Sequence, residues 1–189
     1  MEKKIIAFVG NASVGKTTVL TKVIYQLKKE KQKVGYVFDS IRGTLMDMSI
    51  LDCPEGRKLV LFKHLANEYT QLLRKDTEFI LLDRSIIDWF AYLRLEMESL
   101  GRLNELNPLE EFIFNELKKY HKICYFVTEG MHYIKDGFRP PDDNLRENVE
   151  KHYRYLIDKC VSLGLPVFLV KGNDVDERYE NTIKVIKDE

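Results

Sequence analysis

Gly10-Asn11-Ala12-Ser13-Val14-Gly15-Lys16-Thr17 is the stretch that decides how this chain reads. An apolar run, residues 4–9, precedes it. An amphipathic stretch follows, in which Val19, Leu20, Val23, Ile24 and Leu27 recur at helical spacing. Two glycines between strand and helix let the backbone wrap an anion, and the turn N–H groups together with the helix N-terminus then point at negative charge. The pattern G-x-x-x-x-G-K-[ST] is complete. It assigns Lys16 to the β- and γ-phosphates of a nucleoside triphosphate and the Thr17 hydroxyl to Mg²⁺. Thr18 extends the expected nucleotide contact into the helix.

Working outward, four more short apolar runs read as buried parallel strands: 34–38, 79–83, 123–127 and 167–170. Helical patterns separate them. Leu59, Phe62, Leu65, Ala66, Tyr69, Leu72 and Leu73 form one stripe, and Leu145, Val149, Tyr153, Leu156, Ile157 and Cys160 another. Asn107-Pro108-Leu109-Glu110 reads as a helix start, with Asn as cap, Pro in the first turn and Glu completing a capping box. Strands alternating with helices predict an α/β, three-layer P-loop NTPase fold: a five-stranded parallel sheet flanked by helices, with binding at the carboxyl ends of the strands. Residues 43–57 and 128–144 lack periodicity, and loops of that length tend to be functional.

Composition sets outer limits. The 189 residues carry thirty Lys and Arg against thirty Asp and Glu, so net charge removes bulk attraction to polyanions and leaves room for a local basic patch. The length fits one domain over 1–189. Cys53, Cys124 and Cys160 form no C-x-x-C pair, which excludes a zinc knuckle and points to a reducing cytoplasm. No apolar run reaches membrane-spanning length, so no membrane partner is expected, while a homodimer stays open.

Phe79-Ile80-Leu81-Leu82-Asp83 fits the strand beside the P-loop strand, with Asp83 holding the metal or accepting a proton from an attacking hydroxyl. The chain has no Asn-Lys-x-Asp guanine reader and no room for a motor's helical lid domain, so a small kinase fits its size. In Asp83-Arg84-Ser85-Ile86-Ile87-Asp88-Trp89-Phe90-Ala91-Tyr92, a helix beginning near Ser85 puts Arg84, Asp88 and Tyr92 on one side. These residues and Trp89 are candidates for the acceptor pocket. An internal Arg84–Asp88 ion pair is the competing reading. Arg139, in Asp136-Gly137-Phe138-Arg139-Pro140-Pro141, and Arg146 are candidate lid cations for a phosphoryl group in flight, in a lid over about 129–147.

The D-R-x-x-x-D-x-x-A-Y run resembles the AAA-type P-loop kinase family that includes the nicotinamide riboside kinase domains of bacterial NAD regulators. It is more loosely similar to thymidylate and deoxynucleoside kinases. The resemblance extends to Asp39-Ser40-Ile41-Arg42, to Asp136-Gly137-Phe138-Arg139, and to Gly172-Asn173 through Glu177-Arg178-Tyr179. It implies ATP and Mg²⁺ as cofactors, Asp39 and Arg42 on the acceptor side, Arg139 at the lid, and Asn173 and Arg178 near the adenine. Two departures, Asp39 for Glu and Trp89 where smaller residues are common, fall on the acceptor side. The expected function is therefore transfer of the γ-phosphoryl of ATP to a nucleoside, nucleotide or nucleoside-like small molecule. A nucleic-acid kinase, acting on a 5′-hydroxyl or a hydroxymethylated base in DNA, is an alternative that needs a basic groove. An ATP-hydrolysing switch or nucleotide-binding module is the other.

Overall fold

The computed structural model describes residues 3–38, 48–131 and 143–188. Five strands, β1 (Lys4–Val9), β2 (Val34–Val37), β3 (Phe79–Asp83), β4 (Lys122–Phe126) and β5 (Val167–Val170), form one parallel sheet in the order β2-β3-β1-β4-β5. The order reverses direction at β1, so the crevice outside its carboxyl end is a topological switch point. The register aligns Phe8 of β1 with Asp83 of β3 and with Cys124 of β4.

Helices cover both faces. On one side α1 (Lys16–Lys29) and α6 (Val175–Lys187) pack over Ile6, Phe8, Leu81, Cys124 and Phe126. On the other, α2 (Pro54–Leu73), α3 (Ile86–Ser99), α4 (Asn107–Leu117) and α5 (Asp143–Ser162) enclose a larger core around Ile5, Ala7, Val9, Ile80 and Leu82. Successive strand residues serve opposite layers, and β1 and β3 are buried on both faces because their side chains are apolar without alternation. No helix among the described residues is long and apolar enough to cross a membrane.

Three local expectations need correcting. The stripe on α2 is rotated: Val60, Leu61, His64, Leu65 and Glu68 face the core, while Leu59, Phe62, Tyr69 and Leu73 are exposed. Two interleaved apolar series run along this helix, and the buried one is interrupted by a histidine and a glutamate. Asn107 does not cap α4. A 3-10 turn, Leu103–Leu106, runs straight into the helix, so Asn107 already has helical angles (φ −52, ψ −47) and Leu106 precedes it without a side-chain cap. Glu110 is freed from the capping box and pairs with Arg94 and Lys159 instead. Finally, 43–57 is not all loop: after a 3-10 turn at Met48–Asp52, Cys53 in an extended conformation and Pro54 at the first helical position start α2 early.

Candidate functional site

The turn between β1 and α1 is held in shape from several directions. Gly10 has φ 138, and a Cβ there would lie 2.6 Å from the Phe126 carbonyl oxygen, so no larger residue fits beside β4. Ser13 also has a left-handed backbone, at φ 59. The Lys16 ammonium is buried and donates to the carbonyls of Gly10 (2.6 Å) and Asn11 (2.5 Å). Its charge thus lies inside the loop that the motif assigns to phosphate.

Thr17 and Asp83 meet at the carboxyl ends of β1 and β3. The Thr17 Oγ1 donates to Asp83 Oδ2 at 2.8 Å, and Asp83 is buried. A hydroxyl and a carboxylate side by side are hard oxygen donors, and Mg²⁺ commonly takes one or two of these from protein and the rest from water and phosphate. The residues present therefore fit the ion that the motif implies.

Arg84 follows Asp83 with φ 75, a left-handed conformation that costs a residue with a Cβ of order 1 kcal/mol or more. Its N–H donates to the Phe8 carbonyl at 3.1 Å, which fixes that turn against β1. The guanidinium is buried over the rings of Trp89 (5.7 Å) and Tyr92 (6.0 Å) and 3.6 Å from Asp88 Oδ1. Ser85 caps α3 in a reciprocal capping box with Asp88, so the expected helix start lies one residue later than Ser85.

Asp88 is the most heavily engaged carboxylate. Oδ1 accepts from Gly10 N (3.1 Å) and from the Tyr153 hydroxyl (2.9 Å), and Oδ2 accepts from Ser85 N (2.8 Å). It is fully buried, and burial pushes its carboxyl above the usual range against the pull of Lys16 and Arg84. The ion pair read as the competing explanation for Arg84 and Asp88 is present, and Asp88 turns toward the P-loop.

Trp89 is 5% exposed, packs with its ring centre 6.4 Å from that of His64, and leaves its buried Nε1 without a hydrogen-bond partner among the described residues. Tyr92 is half-buried and meets the Tyr153 ring edge-on at 6.5 Å.

Arg178 is fully buried. It donates to four carbonyls: Gly172 (3.0 Å), Val14 (3.1 Å), Val127 (2.8 Å) and Glu129 (2.9 Å). Burial lowers its pKa. It stitches α6 to the P-loop and to the segments after β4 and β5. Asn173 is exposed, its backbone N–H bonded to Glu177 Oε2 at 2.8 Å and its Oδ1 against Gly130. Ala12 and Ser13 are half-buried, Val14 is buried and Thr18 is exposed. Arg146 is half-buried rather than a surface side chain, and its carbonyl accepts from Asn11 Nδ2 at 2.8 Å. Asp39, Arg42 and Arg139, with the rest of 132–142, lie outside the described residues.

Three residues outside the motifs also belong to this site: Tyr125, Glu150 and Tyr153. They reach the P-loop through Asn11 and Asp88, whereas the sequence pattern places Tyr125 in a buried strand, Tyr153 in a core stripe and Glu150 on the helix's polar face. Tyr125 gives its hydroxyl to Glu150 Oε1 at 2.6 Å, and Glu150 Oε2 accepts from Asn11 Nδ2 at 3.2 Å.

Comparison with known proteins agrees with this geometry. The AAA domain family model matches residues 5–178. No curated protein matches the chain by sequence. Among solved structures, the chain is similar to the deoxyadenosine kinase of M. mycoides with bound dATP, at 16% identity and a TM-score of 0.67, over 97% of this chain and 98% of that one. The same enzyme with products dCMP and a flexible dCDP gives 15% identity and a TM-score of 0.65 over 96% and 98%. NadR protein in complex with NR gives 16% identity and a TM-score of 0.72 over 98% of this chain and 51% of that chain. At these identities the likeness establishes the fold.

Proposed function

The chain belongs to the AAA domain family, and from that premise we propose that it is an ATP- and Mg²⁺-dependent kinase acting on a small nucleoside-like or nucleotide acceptor. The observation that carries this is the Thr17–Asp83 pair at 2.8 Å beside a complete cradle, with Arg84 held in a left-handed turn at the same strand end. Lys16 leaves its loop carbonyls for the β- and γ-phosphates and stabilises the charge that spreads over the moving phosphoryl group. Thr17 and Asp83 would hold Mg²⁺, which when bound would supply charge neutralisation at the phosphates. Asp83 is also the carboxylate best placed to take the proton of an attacking hydroxyl. Arg84, over the aromatic faces of Trp89 and Tyr92, lines the acceptor side together with Asp39 and Arg42, and Arg139 and Arg146 supply lid cations. Asn173 and Arg178 border the nucleotide at the α6 end, Arg178 acting through the carbonyls it holds. The full-length likeness to a deoxyadenosine kinase supports an acceptor of nucleoside size.

The test is label transfer from γ-labelled ATP to nucleosides, nucleoside monophosphates, nicotinamide riboside and a DNA duplex, with and without Mg²⁺. The expected result is label in a small acceptor, only with the metal. Label in DNA would replace the acceptor class. ADP release at a rate no acceptor alters would replace the kinase reading with a hydrolysing switch.

A further inference from the structure

α5 meets the P-loop at two polar junctions, one direct and one through Asp88 of α3. In the first, Asn11 is 1% exposed and donates Nδ2 to the Arg146 carbonyl (2.8 Å) and Glu150 Oε2 (3.2 Å), while its Oδ1 accepts from Ala12 N (2.8 Å). The second Glu150 oxygen is occupied by the Tyr125 hydroxyl. In the second junction, the Tyr153 hydroxyl donates to the same Asp88 oxygen that accepts from Gly10 N. Residues 146, 150 and 153 fall on one face of α5, since helical neighbours lie three and four apart.

The adhesion of this helix to the sheet is already supplied by Val149, Leu156, Ile157 and Cys160, all in the core. Burying two carboxylates in the same contact costs desolvation that apolar side chains would avoid. What the polar groups add is register. They fix the peptides of Gly10 and Asn11, whose carbonyls are the ones accepting from Lys16. A displaced α5 therefore displaces the loop peptides that hold the ammonium until nucleotide takes it up. By reciprocity, a nucleotide that fixes the loop must also steady α5.

We infer that Glu150 and Tyr153 are positioning residues for the phosphate cradle, acting through Asn11 and Asp88. This rests on the nucleotide-binding reading above.

The test uses the full chain with ATP and Mg²⁺, in wild type, Tyr153→Phe and Glu150→Ala. Tyr153→Phe keeps the ring and deletes one hydroxyl. Glu150→Ala removes the carboxylate from the other junction and leaves Asn11 on the Arg146 carbonyl, so the two variants report independently if one folds poorly. Three quantities are read: the thermal midpoint, ATP affinity by calorimetry, and hydrogen exchange over 143–162 with and without ATP. Each variant should keep a thermal midpoint close to wild type, bind ATP about tenfold more weakly, and lose the slowing of α5 exchange that ATP produces in wild type. In turnover, kcat and ATP KM should change while acceptor KM does not. Folded variants with wild-type ATP affinity and wild-type α5 protection would overturn the inference and leave the kinase reading intact. A wild type that does not bind ATP would overturn both.

Discussion

The P-loop end of the candidate site and the proposed acceptor wall are built on opposite terms. At the P-loop end, the groups that tie distant segments together are matched inside the protein: Asp88 takes a loop N–H, a tyrosine hydroxyl and a helix cap, and Arg178 takes four carbonyls. At the acceptor wall, between α2 and α3, the buried Trp89 Nε1 has no partner among the described residues, and the Glu68 carboxyl is buried beside His64. A matched network fixes one geometry in advance, which suits phosphates common to every cycle. An unmatched donor in an aromatic wall is left for something else to satisfy, and under the proposed function this is where substrates would be told apart.

The largest test of the matched end is Arg178→Met. The substitution keeps an unbranched apolar stem and removes the donors from four carbonyls, two of which lie in the P-loop and at the end of β4. At about 1–3 kcal/mol for each buried acceptor left unsatisfied, partly offset by guanidinium desolvation recovered, the expected loss is about 4 kcal/mol of stability, read by denaturant titration. A loss below 1 kcal/mol would show that the carbonyls find other partners and that the clamp is dispensable.

Next comes Lys16→Ala. Its ammonium is a preorganised donor, and removing one from a transition state costs about 3–4 kcal/mol of barrier, two to three decades in kcat. Stability should fall by much less, because the carbonyls of Gly10 and Asn11 can turn to water. Steady-state turnover with a saturating acceptor checks the first expectation and thermal unfolding the second. Retention of the wild-type kcat would break the assignment of this loop as catalytic.

How much of this the sequence discloses depends on the distance over which partners meet. The cradle is a contiguous pattern, and its chemistry follows from eight adjacent residues. Asp83 is legible because an apolar run ending in an acid is a strand-length feature. The contacts of Tyr153 with Asp88 and of Glu150 with Asn11 span 65 and 139 residues, and the helix periodicity that exposes a core stripe says nothing about which loop a polar residue reaches. The same limit hid the true face of α2. His64 and Glu68 are polar and core-facing, so hydrophobic pattern assigned the buried side to Leu59, Phe62 and Tyr69 instead. Arg178 shows it again: the residue carries a charge, yet its place is fully inside the protein because three separate segments bring four carbonyls to it.

Glu68, behind Trp89 and beside His64, gives a sharper test through its charge. It is 1% exposed, and burial pushes its carboxyl up to about 7, against the Tyr120 hydroxyl at 2.7 Å and the Lys119 ammonium at 3.6 Å, which lower it. The folded protein therefore holds a proton that the unfolded chain releases from pH 4.5 upward. The favourable contribution is complete below pH 4.5 and is lost as pH rises through about 7. A shift of this size corresponds to about 3–4 kcal/mol. Glu68→Gln, a neutral isostere, should gain about that much relative to wild type at pH 8 and almost nothing at pH 4.5. Denaturant midpoints at the two values check it. An equal effect at both would mean that the glutamate is charged throughout and held by Lys119.

Trp89→Phe is the smallest change and discriminates most finely. It deletes a buried N–H that bonds to nothing described and keeps an aromatic face for the Arg84 guanidinium. Losing an unsatisfied donor offsets part of the volume lost from indole to phenyl, so stability should change by about 1 kcal/mol or less. ATP affinity should stay at the wild-type value, because the cradle's partners do not involve this side chain. If the wall's free donor is completed by the acceptor, loss of one neutral hydrogen bond raises acceptor KM by about three- to tenfold with kcat little altered. A rise in ATP KM instead would place Trp89 with the matched network, and the division between the two ends of the site would disappear.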